Sequence, residues 1–562
     1  MPQFDYLIVG AGAAGCVLAS RLSENPSVNV LLLEAGRDLH PGIEPPDILD
    51  PFPSAYYNKS YYWQGLKAHW RNRNNSPATH LQQGRVLGGG GSVMGMIALR
   101  GTPDDYNEWE ALGATGWNWE AVLPYFRKLE SDWDFDGPLH GKDGPIPIRR
   151  TPREQWPPLS KAISEFAAAR GIPYIADLNA DFRDGYGSVP MSNTPDRRAS
   201  SALRYLDAAA RSRPNLRIVC QAYVTRILFS GATATGAEVL LGGKKQTYTA
   251  RETIVSGGAI FSPAILMRSG IGHAAALKGL GLQVVCDRPG VGRNLQNHPQ
   301  LFVGFHLRKH ARQPEIPRTI FTTCFRYSSG CPGAGAADLY INIVSKTSWN
   351  ALGHQIGTLA PYLLRPDSRG SVEIVSAEPR ELPRVEFNFM DEESDVQKMM
   401  RAFSLAVEIV CSDPVRALAG PPFAIRVTDR VRSMNERNRT NALKASIIAR
   451  FLDALPASSD LPLRLLTGRG VDLREVVGKP GALAQFLRDN VAGTFHPAGT
   501  CRIGASSDPA SVVDPEGRVH GVERLRVADA SIMPTLPRGN TNIPTIMVAE
   551  KIAASISRRH AR

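Results

Sequence analysis

Phe4-Asp5-Tyr6-Leu7-Ile8-Val9-Gly10-Ala11-Gly12-Ala13-Ala14-Gly15 is an apolar run that stops in a cluster of glycines. Residues 4–9 read as a short buried strand, 10–15 as a turn, 13–23 as a helix with small residues at 13, 14, 16 and 19, and 28–33 as a second buried strand. That is a βαβ unit. Glu34 closes the second strand, 19 residues after Gly15. The spacing has a physical logic. Gly10 permits the tight turn, Gly12 lets backbone approach a pyrophosphate at the helix N-terminus, and Gly15 lets helix and strand touch, while the acid reaches a ribose hydroxyl. A glycine triplet alone is as readily a mere turn as a binding site; strand, helix and acid together indicate a dinucleotide, with FAD and NAD both open.

The rest of the chain is large enough to surround such a unit. Its 562 residues, 43% hydrophobic and 21% charged, exclude a peptide, a disordered scaffold and a small disulfide-stapled module. Length suggests three to four domains, and a discontinuous pair of interwoven lobes fits the motif order better. The net charge of +12 would favour nucleic acid or an anionic surface if it were clustered. Arginines instead fall singly or in pairs, such as Arg149-Arg150 and Arg197-Arg198, which describes a solvated basic surface; a funnel for an acidic substrate is the alternative. No nucleic-acid partner is expected. Seven cysteines without a C-x-x-C pair or ligand spacing argue against a disulfide framework and against a bound metal. No apolar run reaches the roughly 18 to 20 residues of a bilayer span. With the first strand beginning at residue 4 there is no room for a leader, so the expected location is cytoplasmic.

Further along, residues 41–77 are rich in Pro, Tyr, Trp and Asn without periodicity and are expected to form a long excursion on the surface. Helices are expected at 119–129 and 158–170, and strands at 216–219, 224–229 and 238–241. Residues 253–258 repeat the pattern of strand into glycine turn, which returns the chain to the first sheet. Strands at 302–307, 337–344 and 371–375 precede helices at 395–410 and 442–455; a strand at 525–528 and a long helix at 543–557 follow.

Three more clusters carry chemistry. Gly84-Arg85-Val86-Leu87-Gly88-Gly89-Gly90-Gly91-Ser92-Val93-Met94-Gly95-Met96 is too glycine-dense for an ordinary loop and is apolar on both sides, so it reads as a buried turn against a cofactor rather than a linker. Thr494-Phe495-His496-Pro497-Ala498-Gly499-Thr500 offers His496, which by itself is more often a hydrogen-bonded structural histidine than a base. Asp529-Ala530 and the run from Asn540 to Ile543 complete the set, with Asn542 as helix N-cap and Pro544 in the first turn as the bland account.

The four clusters, with Gly258-Ala259-Ile260-Phe261-Ser262-Pro263 and Gly290-Val291-Gly292-Arg293-Asn294-Leu295 between them, resemble in order and spacing the glucose-methanol-choline (GMC) flavoprotein oxidoreductases. The likeness is greatest to the bacterial 5-hydroxymethylfurfural oxidase, aryl-alcohol oxidase and choline-dehydrogenase-like branches. The resemblance implies a mixed α/β (α+β) fold: a discontinuous Rossmann-like FAD-binding domain in three parts (1–150, 196–300 and 489–562) and a sheet-plus-helices substrate domain in two (151–195 and 301–488). It implies FAD held by Gly10, Gly12, Ala14, Gly15, Glu34, Ala35, Arg85, Gly89, Ser92, Met94, Gly95, Val224, Asp529, Ala530, Asn540 and Ile543. His496 and Asn540 match the family's active-site pair, and Phe495 and Met94 would border substrate.

Three departures stand out. Gly90 and Gly91 replace the usual serines and Met94 a usual asparagine. Val93 occupies the place of choline oxidase's flavin-linked histidine, so the FAD is expected to be non-covalent. Phe495 replaces a Trp. The implied activity is oxidation of a primary alcohol, aromatic, furanic or similarly compact, with electrons passed to O2 to give H2O2. A choline-type dehydrogenase using a quinone or other acceptor, a flavin-containing hydroxynitrile lyase and a non-enzymatic FAD-binding protein are the alternatives. Oligomeric state is not legible.

Overall fold

A computed structural model describes residues 3–454 and 471–560. Among them two large sheets dominate. In the first, the strands run in the order Leu216–Val219, Val30–Leu33, Phe4–Val9, Lys244–Val255, Thr233–Leu241 and Ala222–Ser230, with Leu525–Val527 added beside Lys244–Val255. The opening βαβ unit is as expected: Phe4–Val9 and Val30–Leu33 are parallel neighbours joined by the helix Ala13–Leu22. The C-terminal part of Lys244–Val255 pairs in parallel with Phe4–Val9 and with Leu525–Val527, so residues 253–255 do return the chain to this sheet. The same strand is much longer than its expected end. Its first half, rich in Lys, Gln and Thr, pairs antiparallel with Thr233–Leu241 across a Gly242-Gly243 turn, where one polar face suits water.

The second large sheet is antiparallel: Phe423–Ala424, Val303–His306, Ile356–Leu363, Leu339–Val344, Thr323–Tyr327 and Gly185–Ser188. The helix Glu393–Cys411 lays Val396, Met399, Phe403, Val407 and Val410 against it, residues recurring at the helical period. Two short strands pair antiparallel, Pro299–Gln300, which adjoins Ile356–Leu363, and Ala492–Gly493. The strand expected at 371–375 exists as Ser371–Glu373 but belongs elsewhere, in a small sheet with Arg384–Glu386, Lys67–His69 and Ala78–His80. The helix expected at 442–455 runs Arg439–Ala454; residue 455 lies outside the described residues.

The excursion at 41–77 is not a surface feature. Ile48, Phe52, Tyr57, Tyr61, Tyr62, Leu66 and Trp70 are buried, and Lys67–His69 is a paired strand. Its aromatics supply the apolar area that the absence of periodicity concealed, and they form one wall of the central cavity. No described helix is long and apolar enough to cross a membrane.

A buried ion cluster ties the strand pair Glu130–Asp132 and Ile146–Ile148 to the segment around residue 177. His140 meets Glu130 (3.2 Å), Asp132 (3.2 Å) and Asp177 (2.7 Å), while Arg100 bonds Glu130 and Arg150 bridges Asp132 and Asp177. Three cations thus face three carboxylates. Burial pulls the His140 pKa down, but hydrogen bonds to Asp132, Asp177 and Glu130 outweigh it and push it up to about 10. The folded value lies above the unfolded value of about 6.5, so the stabilisation is complete below about pH 6.5 and is lost as pH rises through 10. His140→Gln is expected to cost about 3–5 kcal/mol. In thermal melts from pH 6 to 10.5 it should remove part of the alkaline decline in Tm seen in the wild type; an identical decline would contradict the assignment.

Candidate active site

A cavity of about 1940 Å³ runs from the ends of the first sheet's strands to the second sheet. Gly10, Gly12, Ala14, Glu34, Ala35, Gly89, Met94, Gly95, Val224, Phe495, His496, Asp529, Ala530 and Asn540 all line it. Five segments distant in sequence therefore converge on one space.

At the first-sheet end the glycine turn is packed as its spacing requires. A Cβ on Gly15 would lie 1.9 Å from the Gly10 carbonyl oxygen, so helix and turn meet in contact. Gly12 differs: a Cβ there would meet only the Ser256 carbonyl, at 4.0 Å, and would otherwise project into the cavity. Gly258, at φ +76°, has nothing within 4 Å of such an atom. The bare backbone is thus a cradle for a group that must come close, which is what a pyrophosphate needs.

Glu34 accepts from the N–H of Ala11 (2.9 Å) and of Gly36 (2.7 Å). Burial raises its pKa to about 7 against these two donors. Asp529 does the same at the other rim. It accepts from Gly258 N–H (2.8 Å), Ser262 Oγ (2.5 Å) and Ser531 N–H (2.7 Å), with burial again raising its pKa. Each carboxylate staples two loops that frame the cavity.

Four expected cofactor residues stand off the cavity wall. Gly15 packs on Gly10, as above. Ser92 is fully buried, donating to the Leu87 carbonyl (2.7 Å), with its Oγ 3.2 Å from Ser200 Oγ, so it shapes the glycine loop from behind. The Arg85 side chain is exposed over the Trp63 ring and donates to the Ala35 carbonyl (3.1 Å), a clamp rather than a wall. Ile543 is buried in the core beneath the wall. The N-cap also moves by one residue. The helix Asn542–His560 starts at Asn542, and the Thr541 carbonyl accepts from Thr545 N–H (2.9 Å), so Thr541 caps it.

At the second-sheet end His496 and Asn540 meet. Asn540 Nδ2 lies 2.9 Å from His496 Nε2, and the His496 backbone N–H donates to Asn297 Oδ1 (3.2 Å). Burial pushes the His496 pKa down to about 3, leaving the ring neutral at ordinary pH. Phe495 packs edge-on to Tyr56 at 5.5 Å between ring centroids. Met94 and Gly95 face the same space, and Met96 beside them holds a left-handed φ of +64°. Between them is a pocket with apolar walls and two polar groups at its floor.

One residue went unread in the sequence. His298 is fully buried, with Nδ1 3.0 Å from His496 Nδ1 and the rings edge to face at 5.1 Å. The only available signal was Asn297-His298-Pro299 itself, which reads as a loop.

Two family models match, both described as GMC oxidoreductase, over residues 4–300 and 366–549. The chain belongs to the GMC oxidoreductases. It is 39% identical over 564 residues to 5-(hydroxymethyl)furfural oxidase of Methylovorus sp. (strain MP688), covering 98% of each chain. It is 32% identical to the mitochondrial choline dehydrogenase of Mus musculus, over 99% of this chain and 90% of that one. Among solved structures, pyridoxine 4-oxidase from Mesorbium loti matches with a TM-score of 0.82 at 26% identity over 99% of both chains. Membership makes the protein an FAD-dependent oxidoreductase of alcohol donors with the expected mixed α/β fold.

The two kinds of glycine should separate experimentally. Gly12→Val is expected to keep its melting temperature within a few degrees of the FAD-free wild type while losing FAD on gel filtration. Gly15→Ala must move backbone, costing roughly 1–3 kcal/mol, and should lower that melting temperature. A Gly12→Val protein that purifies yellow would count against the cradle.

Proposed function

We propose that the protein oxidises a compact primary alcohol, aromatic or furanic, to the aldehyde, with His496 as the base and O2 as the electron acceptor, giving H2O2. The observation that carries this is the convergence of His496 Nε2 and Asn540 Nδ2 at 2.9 Å on the floor of an apolar pocket continuous with the glycine cradle. The substrate class is supported by the aromatic walls, Tyr56 and Phe495, and by the 39% identity to the furfural oxidase. FAD would be held in the lobe formed by 1–150, 196–300 and 489–562, with Gly12, Glu34, Gly89, Asp529 and Ala530 around it. The remaining segments, 151–195 and 301–488, cover the substrate. Val93, buried and unreactive, supports a non-covalent cofactor. The seven cysteines, none of them paired, support a reducing, cytoplasmic location.

When bound, FAD supplies the two-electron acceptor. The protein's own part is positional. A substrate hydroxyl set between the two side chains donates its proton to His496 Nε2 and accepts a hydrogen bond from the Asn540 amide. This fixes the rotation about the carbon–oxygen bond and hence the direction in which the carbinol hydrogen points. A neutral imidazole has the free lone pair this requires. Tyr56, Phe495 and Met94 exclude water from the exchange.

The mitochondrial choline dehydrogenase of Mus musculus, at 32% identity, favours a second reading in which another acceptor replaces O2. An oxygen electrode separates the two, since a dehydrogenase would consume negligible O2 with an alcohol that bleaches the flavin.

His496→Ala should keep FAD bound and slow anaerobic flavin bleaching by about 10²–10⁴-fold; an undiminished rate would remove His496 from the mechanism. The depressed pKa also has a sign. Above about pH 4 the base is already deprotonated, so the wild-type reduction rate should lack the acid limb near 6.5 that a solvated histidine gives. A stopped-flow series from pH 5 to 9 that does show this limb would mean His496 is hydrated in the complex.

A further inference from the structure

We propose that His298 is a positioning residue that fixes the tautomer of His496, so that the lone pair of the base faces the substrate and not the protein interior. The inference rests on His496 being the base.

The argument is one of hydrogen-bond direction. Two Nδ1 atoms 3.0 Å apart can bond only if one carries a proton and the other does not. Both residues are neutral in this setting: burial holds His298, like His496, well below the ordinary histidine range, and the neighbouring His496 adds to the effect. Each ring therefore has one N–H, and placing one places the other.

Asn540 decides. Its Nδ2 amide can only donate, and it lies 2.9 Å from His496 Nε2, so that atom is bare and His496 carries its proton on Nδ1. His298 Nδ1, 3.0 Å away, is then the acceptor, and the His298 proton is on Nε2, a buried atom that closes no hydrogen bond. The main-chain carbonyls of Pro537 and Leu364 favour a proton on this ring. The opposite His298 tautomer would set two N–H groups against each other at Nδ1. The three side chains form one chain with a single direction, from the Asn540 amide through both imidazoles.

Backbone pairing makes the contact obligatory. Pro299–Gln300 pairs with Ala492–Gly493, Gln296 bridges Ala498, and Thr494 N–H donates to the His298 carbonyl (3.1 Å). Asn297 takes His496 N–H and Thr494 Oγ1 (2.6 Å) on its Oδ1 and gives Nδ2–H to the Thr494 carbonyl (2.9 Å). The charged group that faces His298 is Arg365, which is paired with Glu108 and lowers the basicity of His298 further. His298 thus orients the base without adding charge to it.

The test uses the FAD-loaded enzyme and three variants. Leu at 298 removes the acceptor at similar size, Gln restores a carbonyl acceptor, and His496→Ala reports on the base itself. His298→Leu should slow anaerobic flavin reduction by about 10²-fold, within the range of general-base contributions, with FAD content unchanged and altered pH dependence of the rate. His298→Gln should recover most of it. Separately, in wild-type protein with ¹⁵N-labelled histidine, the His496 ring should show the Nδ1–H tautomer. That measurement needs neither turnover nor a folded variant.

Reduction by His298→Leu at the wild-type rate and pH profile, or an Nε2–H tautomer for His496, would overturn the inference. A Gln variant no better than the Leu variant would also count against it, because a purely steric role predicts that pattern. If His496→Ala itself reduces flavin normally, the failure lies with the base and not with its positioning.

Discussion

The antiparallel pairing of residues 296–300 with 492–498 carries more of the site than any side chain does. It joins the segment that leaves the first sheet's connections to the segment that returns from the second sheet, across nearly two hundred residues of intervening chain. Main-chain hydrogen bonds at both ends of this ladder leave little freedom between them, and His298 and His496 lie in that interval. Their 3.0 Å separation is a consequence of register. A slip of either pairing would part the two rings and dismantle the pocket floor along with them.

The same economy governs the acids. Buried carboxylates are costly unless hydrogen-bonded, and here Glu34 and Asp529 each accept from backbone or hydroxyl donors of neighbouring loops. Each therefore sets loop geometry on the rim of the cavity. The low basicity of His496 comes from burial alone. Two hydrogen-bonded acids frame the glycine cradle, while the end that holds His496 is largely apolar.

How much of this was legible from residues alone follows from the range over which each signal acts. The opening βαβ unit could be read because strand, turn, helix and acid lie within one stretch and each glycine has its own steric reason. Helices such as Trp119–Leu129 and Glu393–Cys411 could be read because burial imposes their period. The excursion at 41–77 was misjudged because irregular backbone can bury aromatics without leaving any period to detect. Lys244–Val255 was read only at its end, since its first half belongs to a hairpin with a polar face and its second to a buried parallel sheet. Ser92 and Arg85 fell in a motif that touches the cavity through backbone, so their side chains were free to brace it from behind. His298 was invisible for another reason. Its role exists only through its partner, and nothing local to Asn297-His298-Pro299 distinguishes a histidine aimed at another imidazole from one in a loop.

On the proposed reading, in which His496 is the base, its uncharged partner bears on the chemistry. A carboxylate behind an imidazole raises its basicity and stabilises the imidazolium, which suits a reaction that must develop a strong nucleophile before any other bond changes. A His496 whose pKa is pushed down to about 3 could not hold an alcohol's proton by itself; the resulting ion pair of imidazolium and alkoxide would be expensive against largely apolar walls. Proton loss is tolerable only if the electrons that would charge the oxygen leave through the neighbouring carbon–hydrogen bond at the same time, so that the oxygen becomes a carbonyl and never a full alkoxide. A neutral, rigidly aimed base and a weak amide donor are sufficient for such a concerted transfer. A charged relay would instead stabilise an intermediate that the reaction has no need to form.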